Sequence, residues 1–298
     1  MTLPPLPQRD QRQFVETPSL VRKKEADRFR EHPVSKRLLN LIDGLGGLYR
    51  VERSFKFTRN RFLCNRFIVT VPLKESNVCH NEAVSLICSA LSIPETCYSI
   101  FVQQISTATK IHFGFEDSGE QCVIKAYLEF SYDHSLQMEA GESPEPWLLL
   151  LAFKWNPGEP SRYVISRYSG LPSYTPRQIH EKITTLFPHT QGGIIMPLVT
   201  AILKMYDESV PLQPMWYLDV SEEGTPRHSF DIKTYRARLQ IRHVLPFLQE
   251  LCRHYSIPPQ PFEAYFTTIK NHKFGHLSCG IGRDGDEFVA FYHEAYGQ

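Results

Sequence analysis

The sequence predicts an α+β fold in which ten antiparallel strands close into a barrel with a polar lumen, surrounded by helices. Three observations support this prediction. Strand-like segments come in pairs around polar turns, helix-length segments separate the pairs, and the strands alternate polar with apolar residues. Closing such a sheet removes its exposed edges. We expect residues 1–298 to form one domain, because closed barrels of this size commonly share a single core.

Each strand pair has the pattern of a β-hairpin, with a turn built from Asn, Asp, Gly, Pro or other polar residues. The five predicted hairpins are 48–57 with 63–71, 109–115 with 122–130, 146–155 with 162–168, 215–220 with 229–235, and 276–281 with 288–292. Ten strands therefore follow one another in five hairpins.

Amphipathic segments of helical length lie between the hairpins. We predict helices at 76–91, 176–187, 194–205 and 239–255, and two more, 11–30 and 33–43, before the first hairpin. The order of two helices and two strands repeats along the chain, as expected for a repeat architecture.

The alternation along the strands indicates which face is polar. In the segment 123–130, Lys125, Tyr127 and Glu129 share one face, and the other face is apolar. If helices cover the apolar face, the polar residues line the lumen, which then forms a binding chamber. For any single strand, an open sheet or sandwich with its polar face in water is an equally good interpretation. The repetition across several strands favours the chamber.

Composition excludes several function classes. The net charge is +1, so the chain has no overall attraction for nucleic acid or an anionic membrane. No apolar run approaches the length of a membrane span, and the first residues lack a secretory signal, so we expect a cytoplasmic protein. The seven cysteines are scattered without CxxC spacing, which indicates buried thiols rather than disulfides or a zinc site.

The chain lacks a phosphate-binding P-loop, an HExxH zinc motif and the DDxxD clamp of helical prenyl synthases. Cationic and hydroxyl side chains on the strands remain, and together they suit a diphosphate, which needs charge-assisted donors from several directions. These candidates are Arg66, Lys125, Tyr127, Tyr168, Lys233, Tyr235 and Tyr292. Taken singly, each fits a structural hydrogen bond or ion pair equally well.

Several strand motifs resemble those of the αββα-barrel (ABBA) prenyltransferases, and within them the cyanobactin-type peptide prenyltransferases. The motifs are Val51-Glu52-Arg53-Ser54-Phe55-Lys56, Asn65-Arg66-Phe67, Ile124-Lys125-Ala126-Tyr127, the pair Trp155 and Tyr168, Asp231-Ile232-Lys233, and Phe288-Val289-Ala290-Phe291-Tyr292. The order of elements extends this resemblance over nearly the whole chain.

The resemblance implies transfer of a prenyl group from an isoprenyl diphosphate to a side chain of a ribosomally made peptide (a RiPP). Glu52 resembles the family's catalytic glutamate, which takes the acceptor's proton. The seven candidates above resemble its diphosphate-binding residues, with Mg²⁺ held mainly by the diphosphate. Trp216 or Tyr217 occupies the region that closes the prenyl pocket, which favours dimethylallyl diphosphate as the co-substrate.

Two carboxylates depart from the pattern of tyrosine-modifying members, namely Glu129 and Asp231. Extra buried carboxylates are unfavourable unless a cation joins them. Our hypothesis is that they bind the guanidinium of an acceptor arginine. In the alternative interpretation they pair with Lys125 and Lys233 and do not contact the substrate.

Other functions remain open from sequence. The acceptor could be Tyr, Trp or His in a peptide, or a small aromatic molecule. A non-catalytic barrel that binds an isoprenoid is a further alternative. The sequence leaves undetermined whether a peptide acceptor is linear or macrocyclic, although a macrocycle is the expectation from the resemblance.

Overall fold

The computed structural model of the chain describes residues 31–46, 49–73, 80–119, 121–131, 146–187, 193–225 and 227–294. The predicted helix 11–30 lies outside these residues. So do the first residues of the predicted helix 76–91, the first residue of the predicted strand 48–57, and Cys79.

Ten β-strands form the centre of the molecule, and each is antiparallel to its neighbours. Their bounds are β1 Arg50–Thr58, β2 Arg61–Pro72, β3 Ala108–Asp117, β4 Cys122–Phe130, β5 Trp147–Asn156, β6 Glu159–Tyr174, β7 Met215–Glu222, β8 His228–Lys233, β9 Lys273–Ile281 and β10 Glu287–Glu294. All five predicted hairpins are present.

The sheet closes on itself because β1 pairs with β2 on one side and with β10 on the other. Ser54 of β1 lies opposite Arg66 of β2 and opposite Tyr292 of β10. Every strand thus has two neighbours, which confirms the predicted barrel.

The hairpin turns all lie at one end of the barrel, called the turn end below. At two of them, Gly119 and Gly285 have φ angles of +83° and +82°, a conformation that glycine adopts without strain.

Seven helices of the described chain surround the barrel. They are α1 Pro33–Asp43, α2 His80–Ala90, α3 Glu95–Gln104, α4 Pro176–Leu186, α5 Ile195–Ser209, α6 Leu245–His254 and α7 Pro259–Ile269. Short 3₁₀ turns lie at Ile105–Thr107, Tyr235–Ala237 and Ile241–Val244. At the start of α4, the Thr175 hydroxyl accepts a hydrogen bond from the backbone N–H of Gln178, and Pro176 occupies the first turn.

The structure differs from the predicted elements in several places. Helices α3 and α7 were not predicted, because they are rich in β-branched and aromatic residues that favour strands. The predicted helix 239–255 begins its α-helical part only at Leu245, where Pro246 fits the first turn. The predicted strand 229–235 ends at Lys233. There the Thr234 hydroxyl donates to the carbonyls of Phe274 and Gly275, and Tyr235 begins a 3₁₀ turn.

The main hydrophobic core lies between the barrel and its helices. In one cluster, outward-facing strand residues such as Phe55 and Phe291 pack with helical residues such as Ile202 and Leu248. In a second cluster, Phe113 packs with Leu38 of α1. The apolar faces of the strands therefore point outwards, as predicted.

Six cysteines fall in the described residues; all are free, four are buried and two are half-buried. In the same residues, every helix is too short or too polar to span a membrane.

Candidate active site

The lumen is lined by alternate residues of the strands. On β1, Phe55 and Phe57 belong to the outer core, so Glu52, Ser54 and Lys56 face the interior. On β4, Ala126 and Leu128 are in the outer core, and Lys125, Tyr127 and Glu129 face the interior. The predicted parity of both strands is confirmed. The lumen is thus lined largely by charged and hydroxyl-bearing side chains.

Positive charge is concentrated towards the turn end of the lumen. Five cations make up this cation cluster: Lys56, Arg66, Lys125, Lys154 and Arg227. Two carboxylates, the half-buried Glu116 and the buried Glu222, accompany them, so positive charge exceeds negative charge. A buried excess of this sign favours a bound polyanion.

One of these carboxylates, Glu116, connects β2 and β4. Its Oε2 lies 3.1 Å from Arg66 Nε and 2.5 Å from Lys125 Nζ. Burial would raise the pKa of Glu116, but the two cations outweigh it and hold the pKa well below its usual range. Burial likewise lowers the pKa of Lys125, although Glu116 opposes the shift. Arg66 also places its guanidinium 5.7 Å from the centre of the Tyr292 ring.

The second carboxylate, Glu222, closes the turn end. Its fully buried side chain accepts hydrogen bonds from Lys154 at 3.1 Å, Ser166 at 2.9 Å, Arg227 at 2.7 Å and Arg283 at 2.7 Å. These donors come from β5, β6 and the turns that follow β7 and β9. Burial, with the nearby Arg227, lowers the pKa of Lys154 well below its ordinary value.

Lys56 completes the cation cluster. Its ammonium lies 4.7 Å from the centre of the Phe288 ring, and Arg227 lies 5.1 Å from the same ring. Burial lowers the pKa of Lys56 to about 8, and the neighbouring cations add to this effect. One side chain of the cluster therefore changes charge near the upper end of the physiological pH range.

Three tyrosines border the cation cluster. The rings of Tyr127 and Tyr168 meet edge to face at 5.9 Å, and Lys154 lies 5.8 Å from the centre of Tyr168. Burial raises the pKa of Tyr127, Tyr168 and Tyr292, so these hydroxyls stay protonated and can donate hydrogen bonds. The aromatic rings and the cations thus share one region of the lumen.

Lys233 and Tyr235, predicted to bind diphosphate, lie elsewhere in the lumen. Lys233 is opposite His276 at the end of β8 far from the turns, four residues and roughly 13 Å along the strand from Ser229. The Tyr235 hydroxyl donates to Glu52 Oε1 at 2.6 Å. Because β8 ends at Lys233, Tyr235 turns towards Glu52 instead of continuing the strand.

Glu52 is held by a second group of side chains. His276 Nδ1 lies 3.4 Å from Glu52 Oε1, and His276 Nε2 lies 3.4 Å from Asp231 Oδ2. Burial would raise the pKa of Glu52, but His276, Tyr235 and Lys233 outweigh it and lower the pKa. Burial raises the pKa of Asp231 despite the opposing effects of His276 and Lys233. Glu52 is therefore held in its ionised form, in which it can accept a proton.

Glu129 is already paired. It lies 2.5 Å from Lys110 Nζ and 2.8 Å from His112 Nε2, and His112 Nδ1 meets the Thr70 hydroxyl at 2.9 Å. The interpretation in which Glu129 pairs with Lys125 is wrong, because Lys125 is bound to Glu116 on the neighbouring strand. Asp231 differs from Glu129, since its Oδ1 is buried and has no hydrogen-bond donor among the residues described.

An apolar wall adjoins the tyrosines on β5 and β7. It comprises Leu150, Ala152, Trp216, Leu218 and Val220. Tyr217, the alternative to Trp216 in the predicted prenyl pocket, faces outwards. It packs on Phe230 and Tyr174 in the outer core, and its hydroxyl donates to Asp219. Adjacent residues of a strand point to opposite faces, so one of the two had to leave the lumen.

The lumen offers no evident metal site of its own. Within the described part of the chain, no three His, Cys, Asp or Glu side chains are grouped to bind a metal ion. Glu116 and Glu222, the carboxylates closest to the cations, are already bound by lysine and arginine. The side chains thus do not fit a protein-bound Mg²⁺.

Six charged or titratable side chains of the lumen were not predicted as site residues from the sequence. They are Lys56, Lys154, Arg227, Glu116, Glu222 and His276. Alternation could have found Lys56, Glu116 and His276, which lie in step with polar neighbours on their strands. Lys154 had no such signal, because residues 147–153 before it are apolar on both faces of β5. Arg227 lies before β8, outside any strand pattern.

A closed ten-strand barrel with helices outside and a polar lumen is the αββα-barrel, or ABBA, fold, as the resemblance implied. No family model matches the chain, and no curated protein matches its sequence. Solved structures do match it at low sequence identity, and three of them are described next.

The NotF prenyltransferase is 12% identical, with 91% of each chain covered and a TM-score of 0.56. The 6-dimethylallyltryptophan synthase of Micromonospora olivasterospora, in complex with DMASPP and Trp, is 10% identical, with 82% of this chain and 81% of that chain covered and a TM-score of 0.54. PriB, in a ternary complex with L-tryptophan and dimethylallyl thiolodiphosphate, is 10% identical, with 82% and 79% covered and a TM-score of 0.54. At this identity the likeness is one of fold.

Proposed function

We propose that this chain is a prenyltransferase that moves a dimethylallyl group from dimethylallyl diphosphate to a side chain of a peptide. One observation carries the proposal: a buried cation cluster, bordered by three tyrosines, shares a closed lumen with an ionised glutamate. The fold neighbours include a structure with a dimethylallyl diphosphate analogue bound, which supports the same class of donor.

The diphosphate binds in the cation cluster. Arg66, Lys125 and Lys56 supply charge-assisted donors from three strands, and they neutralise the charge that develops on the leaving group. Tyr127 and Tyr292 add hydroxyl donors at the border of this region. The excess positive charge of the cluster, unfavourable in the empty lumen, is compensated by the bound donor.

The dimethylallyl group lies against the tyrosine rings and the apolar wall. As the C1–O bond breaks, positive charge develops on the allyl group. The faces of Tyr127, Tyr168 and Tyr292 stabilise this charge by cation–π attraction, about 0.5–2 kcal/mol for each desolvated ring. The same rings restrict the access of water to the cation.

The length of the donor depends on Trp216 in the apolar wall, and we propose that this ring limits the pocket to a five-carbon chain. Trp216→Gly is expected to admit geranyl diphosphate and to raise the ratio of geranyl to dimethylallyl transfer about tenfold or more, because the pocket gains the volume of an indole. Competition between the two donors, with mass analysis of the products, measures this ratio. Tyr217→Gly is the control, since Tyr217 faces the outer core; an equal change there would contradict the assignment.

For the acceptor, we propose an arginine side chain in a ribosomal, macrocyclic peptide of the cyanobactin type. Two observations support a cationic or N–H-rich acceptor: Glu52 and Asp231 lie on either side of His276, and Asp231 Oδ1 is buried with no donor in the described lumen. A guanidinium can donate to both carboxylates through its planar fork. Glu129, with its charge already paired, has a weaker claim to the acceptor.

A small aromatic acceptor is the second candidate. Two of the fold neighbours were solved with tryptophan, whose indole N–H could also donate to Glu52. The two candidates differ in the group that lies beside Glu52 and Asp231, at the end of the lumen away from the hairpin turns. An indole needs a single carboxylate, whereas a guanidinium makes use of the second.

The deciding experiment incubates the protein with dimethylallyl diphosphate and Mg²⁺. The acceptors are macrocyclic peptides containing Arg, Tyr, Trp or His, and separately free tryptophan and simple phenols. Mass spectrometry is expected to detect one isoprene unit on the arginine peptide, absent with Glu52→Ala. Product on another acceptor would keep the enzyme class and overturn the arginine assignment. Donor binding without any product or donor consumption would favour the isoprenoid-binding alternative.

Donor binding should depend on pH through Lys56. Its pKa of about 8 in the free lumen means that charged Lys56 prevails below pH 8 and neutral Lys56 above it. Because the diphosphate binds the charged form, KM for dimethylallyl diphosphate is expected to be flat below pH 8 and to rise above it, by up to about tenfold per pH unit. Lys56→Arg keeps its charge and should flatten this rise, whereas Lys182→Arg, at a lysine that pairs with Asp219 on the outside of the barrel, should not. An unchanged profile in Lys56→Arg would assign the titration to another group.

Gly275 allows Tyr235 to reach Glu52. A Cβ at this position would lie 2.5 Å from Glu52 Oε1 and 2.7 Å from a Tyr235 ring carbon. Gly275→Ala is therefore expected to displace the base and to lower kcat by about 10²-fold, with little change in KM for the donor. Gly158→Ala is the matched control, because its Cβ would have only one neighbour, Asn156 Oδ1 at 3.4 Å. Steady-state kinetics would contradict the prediction if both variants behaved alike.

A further inference from the structure

His276 lies between two carboxylates that come from different strands. Glu52 on β1 faces Nδ1, and Asp231 on β8 faces Nε2, both at 3.4 Å. The Tyr235 hydroxyl lies 3.0 Å from the same Nδ1 and 2.6 Å from Glu52. Each nitrogen of one imidazole thus has a carboxylate oxygen close by. An imidazole can accept a proton at one nitrogen while it releases another from the opposite nitrogen.

The orientation of the ring is fixed. His276 stacks face to face on Tyr292, with ring centres 3.8 Å apart and planes 13° apart. The two residues are also partners in the register of β9 and β10. Rotation of the imidazole would break this stacking, so Nδ1 and Nε2 keep their separate partners.

Asp231 is suited to receive a proton. Only 6% of the residue is exposed, and its Oδ1 has no hydrogen-bond donor in the described lumen. A buried ionised oxygen without a donor is unfavourable, and protonation removes that penalty. Burial accordingly raises the pKa of Asp231, whereas the pKa of Glu52 lies below its usual value. Asp231 is therefore a carboxylate that can take up a proton in this part of the lumen.

We propose that Glu52, His276 and Asp231 form a proton relay, which carries the proton of the acceptor from Glu52 through the imidazole to Asp231. The inference rests on the proposed function and deepens it. It makes Asp231 the terminal proton acceptor and gives His276 a role in the reaction.

Each step of the relay conserves atoms and charge. The C1–O bond of the donor breaks with its electron pair on the diphosphate, and the acceptor nitrogen forms a bond to C1. The acceptor's N–H proton passes to Glu52. Glu52 gives a proton to Nδ1 of His276, while the proton on Nε2 passes to Oδ2 of Asp231. Glu52 is again ionised, and Asp231 releases its proton to solvent once the product has left.

The test measures how the allyl cation divides between two products. Wild type, His276→Gln, Asp231→Asn and the double variant are given dimethylallyl diphosphate and the arginine-containing macrocycle, or tryptophan if that is the acceptor found. Prenylated product and dimethylallyl alcohol are both quantified. Because the cation cluster is intact, we expect donor consumption within about twofold of wild type. The ratio of prenylated product to alcohol should fall about tenfold or more in each single variant. A relay acts as a unit, so the double variant should be no worse than the single variants.

A second variant separates a relay from a structural role. His276→Ala leaves a cavity beside Tyr292, and free imidazole is expected to restore part of the product ratio, with no effect on wild type or on Glu52→Gln. Effects that multiply in the double variant, or a lack of rescue by imidazole, would overturn the relay. If wild type consumes the donor but gives alcohol alone with every acceptor, or consumes no donor, the proposed function itself fails.

Discussion

Glu52→Gln is expected to lower kcat for prenyl transfer by about 10²–10⁴-fold, the usual contribution of a general base. Glutamine keeps the size of the side chain and can still receive the hydrogen bond from Tyr235, but it cannot take a proton. The cation cluster lies apart from Glu52, so KM for dimethylallyl diphosphate should change little. Steady-state kinetics on the identified acceptor, followed by mass spectrometry, give both constants.

The control for this variant is Glu223→Gln. Glu223 carries the same charge but pairs with Arg167 on the exposed surface. It should retain wild-type kinetics. A Glu52→Gln enzyme with normal kcat would assign proton removal to another group, and a large rise in KM for the donor would mean that Glu52 helps to bind it.

Arg66→Met is expected to lower kcat/KM for dimethylallyl diphosphate by about 10²–10³-fold, comparable to the loss of one preorganised donor in other active sites. The guanidinium is 4% exposed, so its charge is poorly screened by solvent. Its loss also removes one of the two ion-pair partners of Glu116, so the net positive charge that faces the diphosphate falls by one. Methionine preserves most of the length of the side chain. Kinetics and calorimetric titration with the thiolodiphosphate analogue would measure the effect on turnover and on binding.

The control for the guanidinium is Arg167→Met, which removes an equal charge from an exposed pair on the outside of the barrel. That variant should bind the donor normally. Equal losses in the two variants would show that the overall charge of the protein, rather than the cation cluster, governs donor binding. Thermal unfolding of both variants excludes misfolding as the cause.

The architecture could be predicted because its signals are local. Hairpin turns and strand alternation depend on neighbouring residues, so all five hairpins and the faces of Lys125 and Glu52 were predicted correctly. Which side chains meet depends on register between strands, which alternation does not specify. The predicted partner of Glu129 was therefore wrong, and Lys233, predicted to bind the diphosphate, lies apart from the cation cluster. The choice between Trp216 and Tyr217 required the parity of β7, which starts after an irregular segment.

The helices, too, could be predicted only where the signal lies in neighbouring residues. α1 has a clear apolar face and was predicted with its observed bounds, Pro33–Asp43. α3 and α7 are composed of residues that favour strands, and packing on the barrel determines that they are helical. Such tertiary contacts cannot be inferred from the local pattern of apolar and polar residues.

The pairing of β1 with β10 has a consequence for how the protein acquires its activity. Glu52 and the Tyr235 that holds it are 183 residues apart in the chain, and Ser54 finds its partner Tyr292 in the last strand. Contacts with such sequence separation form slowly, because a long loop must close before they become favourable. On the ribosome, the first hairpin emerges long before the strand that completes its sheet. The lumen closes only when β10 pairs with β1, so a nascent chain that lacks β10 has no enclosed space in which an allyl cation could form.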